Sequence, residues 1–384
     1  MNLVYVTNSR IPTEKAYGLQ TASMCAAFAS AGARVTLVIP ERKHNPISAD
    51  LFDYYGIERS FEARYIPTVD AIGIGRRFGF WVTRLSYAFS LLFSPVLKKE
   101  PHTAIFTRDL IAAVLLKLRG HRVFYDMHGF PYKFLWFWKS ACRMMDGIVC
   151  TNQWKIEQCK TVFNIPASKL LMSRNCFDAS LFQHVLDQSS ARSQLLLPRD
   201  KKIVVYAGHL LDWKGVDVLA QAAEQLPDVL FVFIGGTPRE VEEFKSRHHG
   251  CNMFMVGQES HNKIPSYLAA ADVLALPNST KVAQHRFAVY STHDTSPLKL
   301  FEYMTSKRPI VASGLPSVKE ILNESNAVLV VPDSADALAA GIRKAFGDSG
   351  GASQKAEQAY RDVQQYTWDN RAHLILNFIA AVRT

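Results

Sequence analysis

With 384 residues the chain is too long for one ordinary core, so two domains of ordinary size are expected. Hydrophobic residues make up 48% and charged residues 20%, the balance of a folded globular protein rather than a disordered one. Against 34 Asp and Glu stand 44 Lys and Arg, and the net charge of +10 favours anionic partners: nucleotides, nucleic acid or a membrane surface. No zinc-finger spacing or RNA-recognition aromatic motif accompanies that charge, so no nucleic-acid partner is expected. Cys25, Cys142, Cys150, Cys159, Cys176 and Cys251 show neither CxxC spacing nor a paired framework, which reads as reduced thiols. Met1-Asn2-Leu3 runs into a strand without a basic leader, and no apolar run is long enough to cross a bilayer, so a cytoplasmic protein is expected.

The opening predicts a βαβ unit: a strand over Asn2 to Thr7, a helix over Tyr17 to Ser30 and a strand over Ala33 to Pro40. The loop NSRIPTEKAYG between the first two carries Gly18 but no GxGxxG, which argues against a dinucleotide-dependent dehydrogenase. Gly18 reads equally well as a residue permitting a tight turn. From Gly73 to Lys99 the sequence mixes Arg76, Arg77, Arg84, Lys98 and Lys99 with Phe78, Phe80, Trp81 and Phe89; Lys133 to Met145 is similarly aromatic and basic. Two readings stand for both: an interfacial helix on a membrane surface, or a crossover helix buried on one side.

Strands follow at Ala104 to Thr107 and Arg122 to Asp126, and His128 comes directly after the second, where open α/β sheets place their ligands. A strand over Asp146 to Thr151, a helix over Asn152 to Phe163 and a strand over Lys169 to Arg174 close the first half; Ala179 to Asp200 reads as a linker. The second half opens on a strand over Ile203 to Gly208, then His209, and a loop turning into a helix near Gly215. Lys214 therefore sits at a strand-to-helix turn suited to a phosphate. Further strands are predicted at Val229 to Gly235, Asn252 to Gly257 and Asp272 to Pro277, with a helix at Pro265 to Ala271. A polar loop then runs from Asn278 to Thr295 with Lys281, His285, Arg286 and His293. In DTSPLKLFEYMTSKRPIVAS, from Asp294 to Ser313, Ser296 suits a helix N-cap and Pro297 its first position. Glu302 shares a helical face with Leu298, so a carboxylate points inward and needs a partner. A strand at Ala327 to Val331, a helix at Ser334 to Phe346, a flexible turn at Gly347 to Ser353 and a last helix at Trp368 to Val382 complete the chain.

The stretch from Asp294 resembles the E-x7-E region of the retaining glycosyltransferases of family 4 in their SPLK-x-FEYM form, with Asp294 where the first Glu usually stands. The resemblance is strongest from Tyr206 to Val331 and implies a GT-B fold: two Rossmann-like doubly wound α/β domains facing across a cleft. The acceptor domain would span residues 1–198 with 368–384 added, and the donor domain 199–367. It implies transfer of a sugar from a nucleotide diphosphate sugar, of UDP or GDP type, to an acceptor hydroxyl with retention. By the same resemblance Glu302 holds the ribose, while Asp294, Ser296, Pro297 and Leu298 lie near the sugar and diphosphate. Lys214 neutralises the diphosphate beside Gly208, and His209 stands where an Arg is usual. His128 reaches the donor sugar from the other domain, with Asp126 where Glu is common, and Gly18 lies across the cleft. Asn175-Cys176-Phe177-Asp178 resembles an Asn-Gly-Val-Asp turn, with Cys176 for glycine. No metal or cofactor is expected. The acceptor would be a glycan or lipid-linked precursor of a cell-surface polysaccharide, lipopolysaccharide or glycolipid, met at the inner face of the membrane through 73–99 and 133–145. Two rival readings are a nucleotide-sugar epimerase of related fold and a catalytically silent binding subunit.

Overall fold

Short apolar runs that end in polar or glycine turns form two all-parallel sheets with helices between their strands. The computed structural model describes residues 1–43, 45–71, 75, 78–97, 102–281 and 290–382. Gly73, Arg76, Arg77, Lys98 and Lys99 of the first aromatic stretch, and His285 and Arg286 of the long loop, lie outside the described residues. In chain order the first half has β1 (Asn2–Val6), α1 (Ala16–Ser30), β2 (Arg34–Pro40), α2 (Leu51–Tyr55), β3 (Glu62–Ile66) and α3 (Phe78–Phe93). It continues with β4 (Thr103–Thr107), α4 (Leu110–Leu118), β5 (Arg122–Met127), α5 (Leu135–Met144), β6 (Gly147–Cys150), α6 (Gln153–Thr161) and β7 (Leu170–Met172).

The second half has α7 (Gln188–Gln194), β8 (Lys202–Ala207), α8 (Val216–Glu224), β9 (Val229–Ile234), α9 (Pro238–Arg247), β10 (Met253–Gly257) and α10 (Ile264–Ala270). Then come β11 (Val273–Leu276), α11 (Leu298–Thr305), β12 (Ile310–Ser313), α12 (Pro316–Lys319), β13 (Val328–Val330), α13 (Ala335–Gly347), α14 (Ser349–Val363) and α15 (Trp368–Ala381).

Contacts divide the chain into two units, Met1–Arg174 with Trp368–Thr384, and Asn175–Thr367. The division falls at 174/175 rather than at 198/199, because 175–198 packs into the second unit. Arg192 of α7 donates to the Ala270 carbonyl at 2.9 Å and to the Asp272 carboxylate at 2.7 Å, so the expected linker is a packed helix. The first sheet runs β3-β2-β1-β4-β5-β6-β7 and the second β10-β9-β8-β11-β12-β13. In each, the strand order reverses beside the first strand of the unit, between β1 and β4 and between β8 and β11. Open parallel sheets leave a ligand crevice at the carboxyl ends of the strands on either side of such a reversal.

Helix α15 packs on α1, and Arg122 of β5 donates to the carbonyls of Ile379 and Val382 at 2.7 and 2.8 Å. The expected flexible turn at Gly347 to Ser353 is instead the start of α14. Asp348 accepts from the Gly351 N–H at 2.9 Å, and the burial of Ala352, Ala356 and Ala359 then carries the helix. On α3, Tyr87, Ala88 and Leu91 are buried while Phe78, Phe80, Trp81, Phe89 and Phe93 are exposed. The helix is thus buried on one side and aromatic on the other. Helix α4 packs between α3 and α5, and α5 likewise exposes Leu135, Trp136 and Phe137. Among the described residues no helix is long and apolar enough to cross a membrane.

Candidate functional site

In the second unit the carboxyl ends of β8 and β11 and the start of α11 carry the residues singled out from sequence. The turn after β8 runs through Gly208, His209 and a short 3-10 stretch, Asp212–Lys214, into α8. Gly215, at φ +73°, lies so close to β11 that a Cβ there would sit 1.8 Å from the Pro277 carbonyl oxygen. No side chain fits, and the turn presses directly on the end of β11. Gly215→Ala should therefore cost about 2–4 kcal/mol and loosen the Lys214 turn, read as a lower unfolding midpoint for the second unit together with weaker nucleotide binding.

Lys214 is half-buried, its Nζ 3.8 Å from the centre of the Trp213 ring, and burial lowers its ammonium to about 8. His209 does not share this spot freely: its Nδ1 lies 3.1 Å from Glu240, which also accepts from the Leu210 N–H at 3.1 Å. At the end of β11 the side chain of Asn278 is fully buried, yet among the described residues neither its amide nitrogen nor its oxygen meets a partner.

The N-cap of α11 is Pro297, at φ −71° and ψ 127°, so the helix begins at Leu298 and Ser296 lies one residue outside it. Ser296 makes no cap; its carbonyl accepts from the buried Asn175 amide at 2.6 Å, which pins the loop. Pro297 makes no side-chain cap, and although the Leu300 N–H already bonds the Pro297 carbonyl at 3.2 Å, the helix start is of the kind that favours an anion. Asp294 is fully buried just before this loop. Glu302 is buried one turn into the helix, and its required partner is His261, Nε2 to Oε1 at 3.3 Å. Sequence reasoning passed over Lys299, although it stands three residues before Glu302 and so on the same helical face. It is buried, with Nζ 3.7 Å above the Tyr206 ring, and a Cβ on Gly208 would approach that Nζ to 3.3 Å.

In the first unit His128 follows β5, its Nε2 2.8 Å from Asp126. Asp126 is buried and also accepts from Arg108 at 3.0 Å and from Arg371 of α15 at 3.1 Å. Burial alone would raise its carboxyl, but His128, Arg108 and Arg371 outweigh burial and hold it well below the usual carboxylate range. Burial and Arg108 together lower His128 to about 4, against the pull of Asp126, so its ring is neutral at neutral pH. A carboxylate only accepts, so Nε2 carries the proton and Nδ1 is the acceptor. Neither Arg108 nor Arg371 stood out in the sequence, because nothing local links them to Asp126. Gly18 lies within the first turn of α1 rather than in the loop before it. A Cβ there would come 2.1 Å from the Tyr55 hydroxyl, which bonds both the N–H and the carbonyl of Thr13. Its bareness serves this packing.

Residues 187–362 match the family model described as glycosyl transferases group 1. The second unit is a glycosyl transferases group 1 domain. Among curated relatives, the teichuronic acid biosynthesis glycosyltransferase TuaC of Bacillus subtilis is 28% identical over 45% of this chain and 40% of its own length. The chain spans less than half the length of this and the other first-ranked curated relatives in their alignments. Over the whole chain the fold is shared with sucrose-phosphate synthase of Thermosynechococcus elongatus, at a TM-score of 0.77 and 18% identity over 99% of this chain and 98% of that one. It is shared too with HepE of Anabaena, solved with UDP, at a TM-score of 0.71 and 16% identity over 99% and 100%. The group 1 domain and these neighbours give the chain the GT-B fold.

Proposed function

We propose that the group 1 domain binds a nucleotide diphosphate sugar and that the chain transfers the sugar to an acceptor hydroxyl with retention at the anomeric carbon. The observation that carries this reading is the convergence at one end of the second sheet of the Lys214 turn, the uncapped start of α11 and the buried Glu302. Departure of the diphosphate builds negative charge, and groups already aimed at that place stabilise it without reorganising, commonly the largest contribution to catalysis. Lys214 and the first N–H groups of α11 meet the phosphates, with His209 beside them. Gly208 and the loop from Asp294 through Ser296, Pro297 and Leu298 lie along the diphosphate and sugar. Glu302, oriented by His261, accepts from the ribose hydroxyls. In the first unit His128, held by Asp126 through Nε2, presents Nδ1 as a hydrogen-bond acceptor. The leaving phosphate oxygen takes the acceptor proton on the same face, so lysine and helix charge do the work of a metal.

The binding of UDP and of UDP-glucose by HepE favours a UDP-type donor, with GDP the other candidate. The teichuronic acid pathway of TuaC favours a cell-surface polysaccharide or glycolipid as product. The exposed aromatics of α3 and α5, interleaved with Arg84, Lys133 and Lys139, suit an acceptor held at a membrane surface. Incubation with UDP-, GDP- and ADP-sugars, a membrane lipid extract and EDTA, followed by mass and linkage analysis, tests this. A new glycoside with the donor's anomeric configuration supports it; free isomerised sugar, or no turnover of any donor, overturns it. Glu302→Ala should weaken the nucleoside diphosphate and the bare nucleoside alike, by about tenfold or more in calorimetry, since a charged hydrogen-bond acceptor is lost. Unchanged affinity would remove Glu302 from the ribose.

A further inference from the structure

We propose that Lys299 supplies the second cation of the donor's diphosphate site, in the place left open by the absence of an arginine at position 209. The proposal rests on the donor reading above and deepens it. Lys299 is nine-tenths buried, but among the described residues its Nζ has no hydrogen-bond partner. An ammonium has three donors to satisfy, and a buried one without an acceptor is costly; a leucine or methionine would fill the same space with no such cost. The ring of Tyr206 below it supplies attraction but no acceptor lone pair in the right place. On its open side the amine abuts Gly208, whose lack of a side chain leaves the approach clear at the carboxyl end of β8. That is the side of the strand-order reversal, the Lys214 turn and the uncapped start of α11.

The groups around Lys299 specify the missing partner. From the turn after β8 comes Lys214, a like charge; from β8 comes Tyr206, a phenol that burial holds protonated; from α11 itself come Glu302 and Tyr303. The Tyr303 hydroxyl accepts from the Ala207 N–H at 2.7 Å, and Glu302 is already shared with His261. Two lysine amines thus oppose each other's charge, and the one carboxylate acting on Lys299 is Glu302. Only an anion with several oxygens satisfies both, which a diphosphate does and a single hydroxyl does not. His209, held by Glu240, leaves this task to Lys299.

A consequence is proton uptake. Burial first, then Lys214, lowers the Lys299 ammonium well below its ordinary range, and Glu302 only partly restores it. An arriving diphosphate reverses that balance, so between the free and bound values the complex gains a proton and affinity falls as pH rises, by up to about tenfold per pH unit for one proton.

The test is calorimetry of the full chain with UDP and with GDP in two buffers of different ionisation heat. The wild type should take up protons on binding. Lys299→Met should lose part of that uptake and bind the diphosphate about tenfold or more weakly, with uridine or guanosine binding unchanged and Tm equal or higher. Lys299→Gln should shift binding in the same direction. Wild-type affinity in Lys299→Met, or equal losses for diphosphate and nucleoside, would overturn the proposal. If Lys214→Met and Glu302→Ala weaken the diphosphate while Lys299→Met does not, this inference alone fails. If the wild type binds neither diphosphate, the donor reading fails with it.

Discussion

Lys214→Met is expected to lower kcat/KM for the donor by roughly 100- to 1000-fold, the scale on which a single preorganised group stabilising developing charge acts. The turn that holds Lys214 is over-determined: Gly215 at positive φ presses against the Pro277 carbonyl, and the Ser279 N–H donates to the Trp213 carbonyl at 3.1 Å. The methylene stem of Lys214 therefore has a fixed place that methionine can occupy, and the loss should fall on chemistry and diphosphate binding rather than on folding. Because burial lowers the ammonium to about 8, kcat/KM of the wild type should also decline as pH rises through that value. The sign follows from the charged form being the active one: it is complete below about 8 and lost above. Lys214→Arg, whose guanidinium stays charged, should retain more activity than Lys214→Met and move that alkaline limb upward. Steady-state kinetics from pH 6 to 10 on all three proteins would decide. Equal rates for Lys214→Met and wild type would remove the turn from the site.

Strands whose side chains are buried on both faces were the most legible elements. IVVYA, VLFVFI and VLAL in the second half are uninterrupted apolar runs, and each is a central strand. Strand β3, EARYI, escaped notice because it is an edge strand, largely exposed and charged, and its register against β2 is set by tertiary packing. Helix α4, LIAAVLLKL, is apolar nearly all round and so carries no clear helical stripe. Helix α14 was masked by Ser349, Gly350 and Gly351, local signals for a turn that Asp348 and a buried alanine stripe override. In the sequence, Glu302 and Lys214 stood out because each has a recognisable neighbour, the Ser296-Pro297 helix start for Glu302 and the Gly215 turn for Lys214. The expected N-cap, Ser296, was displaced by one residue because Pro297 remains extended. The partners His261, Glu240 and Asn175 come from distant stretches of chain, and only the fold brings them near.

Asp126→Ala should destabilise the first unit by about 3–5 kcal/mol, the range seen when one member of a buried ionic cluster is removed and its partners are left uncompensated. Asp126 bonds Arg108, Arg371 and His128 together, and Arg371 also donates to the carbonyls of Ser173 and Arg174. Removing it leaves the buried Arg371 and the part-buried Arg108 without their carboxylate and frees the His128 ring, so the anchor between α15 and β5 weakens as well. The pH dependence has a definite sign. Asp126 is held below its ordinary range in the folded chain, so its contribution is complete above about pH 4, the unfolded value, and lost as pH falls. His128 is lowered too, to about 4, so its share is complete above about 6.5 and is lost as pH falls toward 4. Both slopes point the same way: urea midpoints of the wild type should drop steadily from pH 6.5 downward. Asp126→Asn, neutral throughout, should start lower and lack the further fall below about pH 4, while the limb from 6.5 to 4, which belongs to His128, persists. An Asp126→Asn profile parallel to the wild type would show that the cluster does not govern the acid stability of this unit.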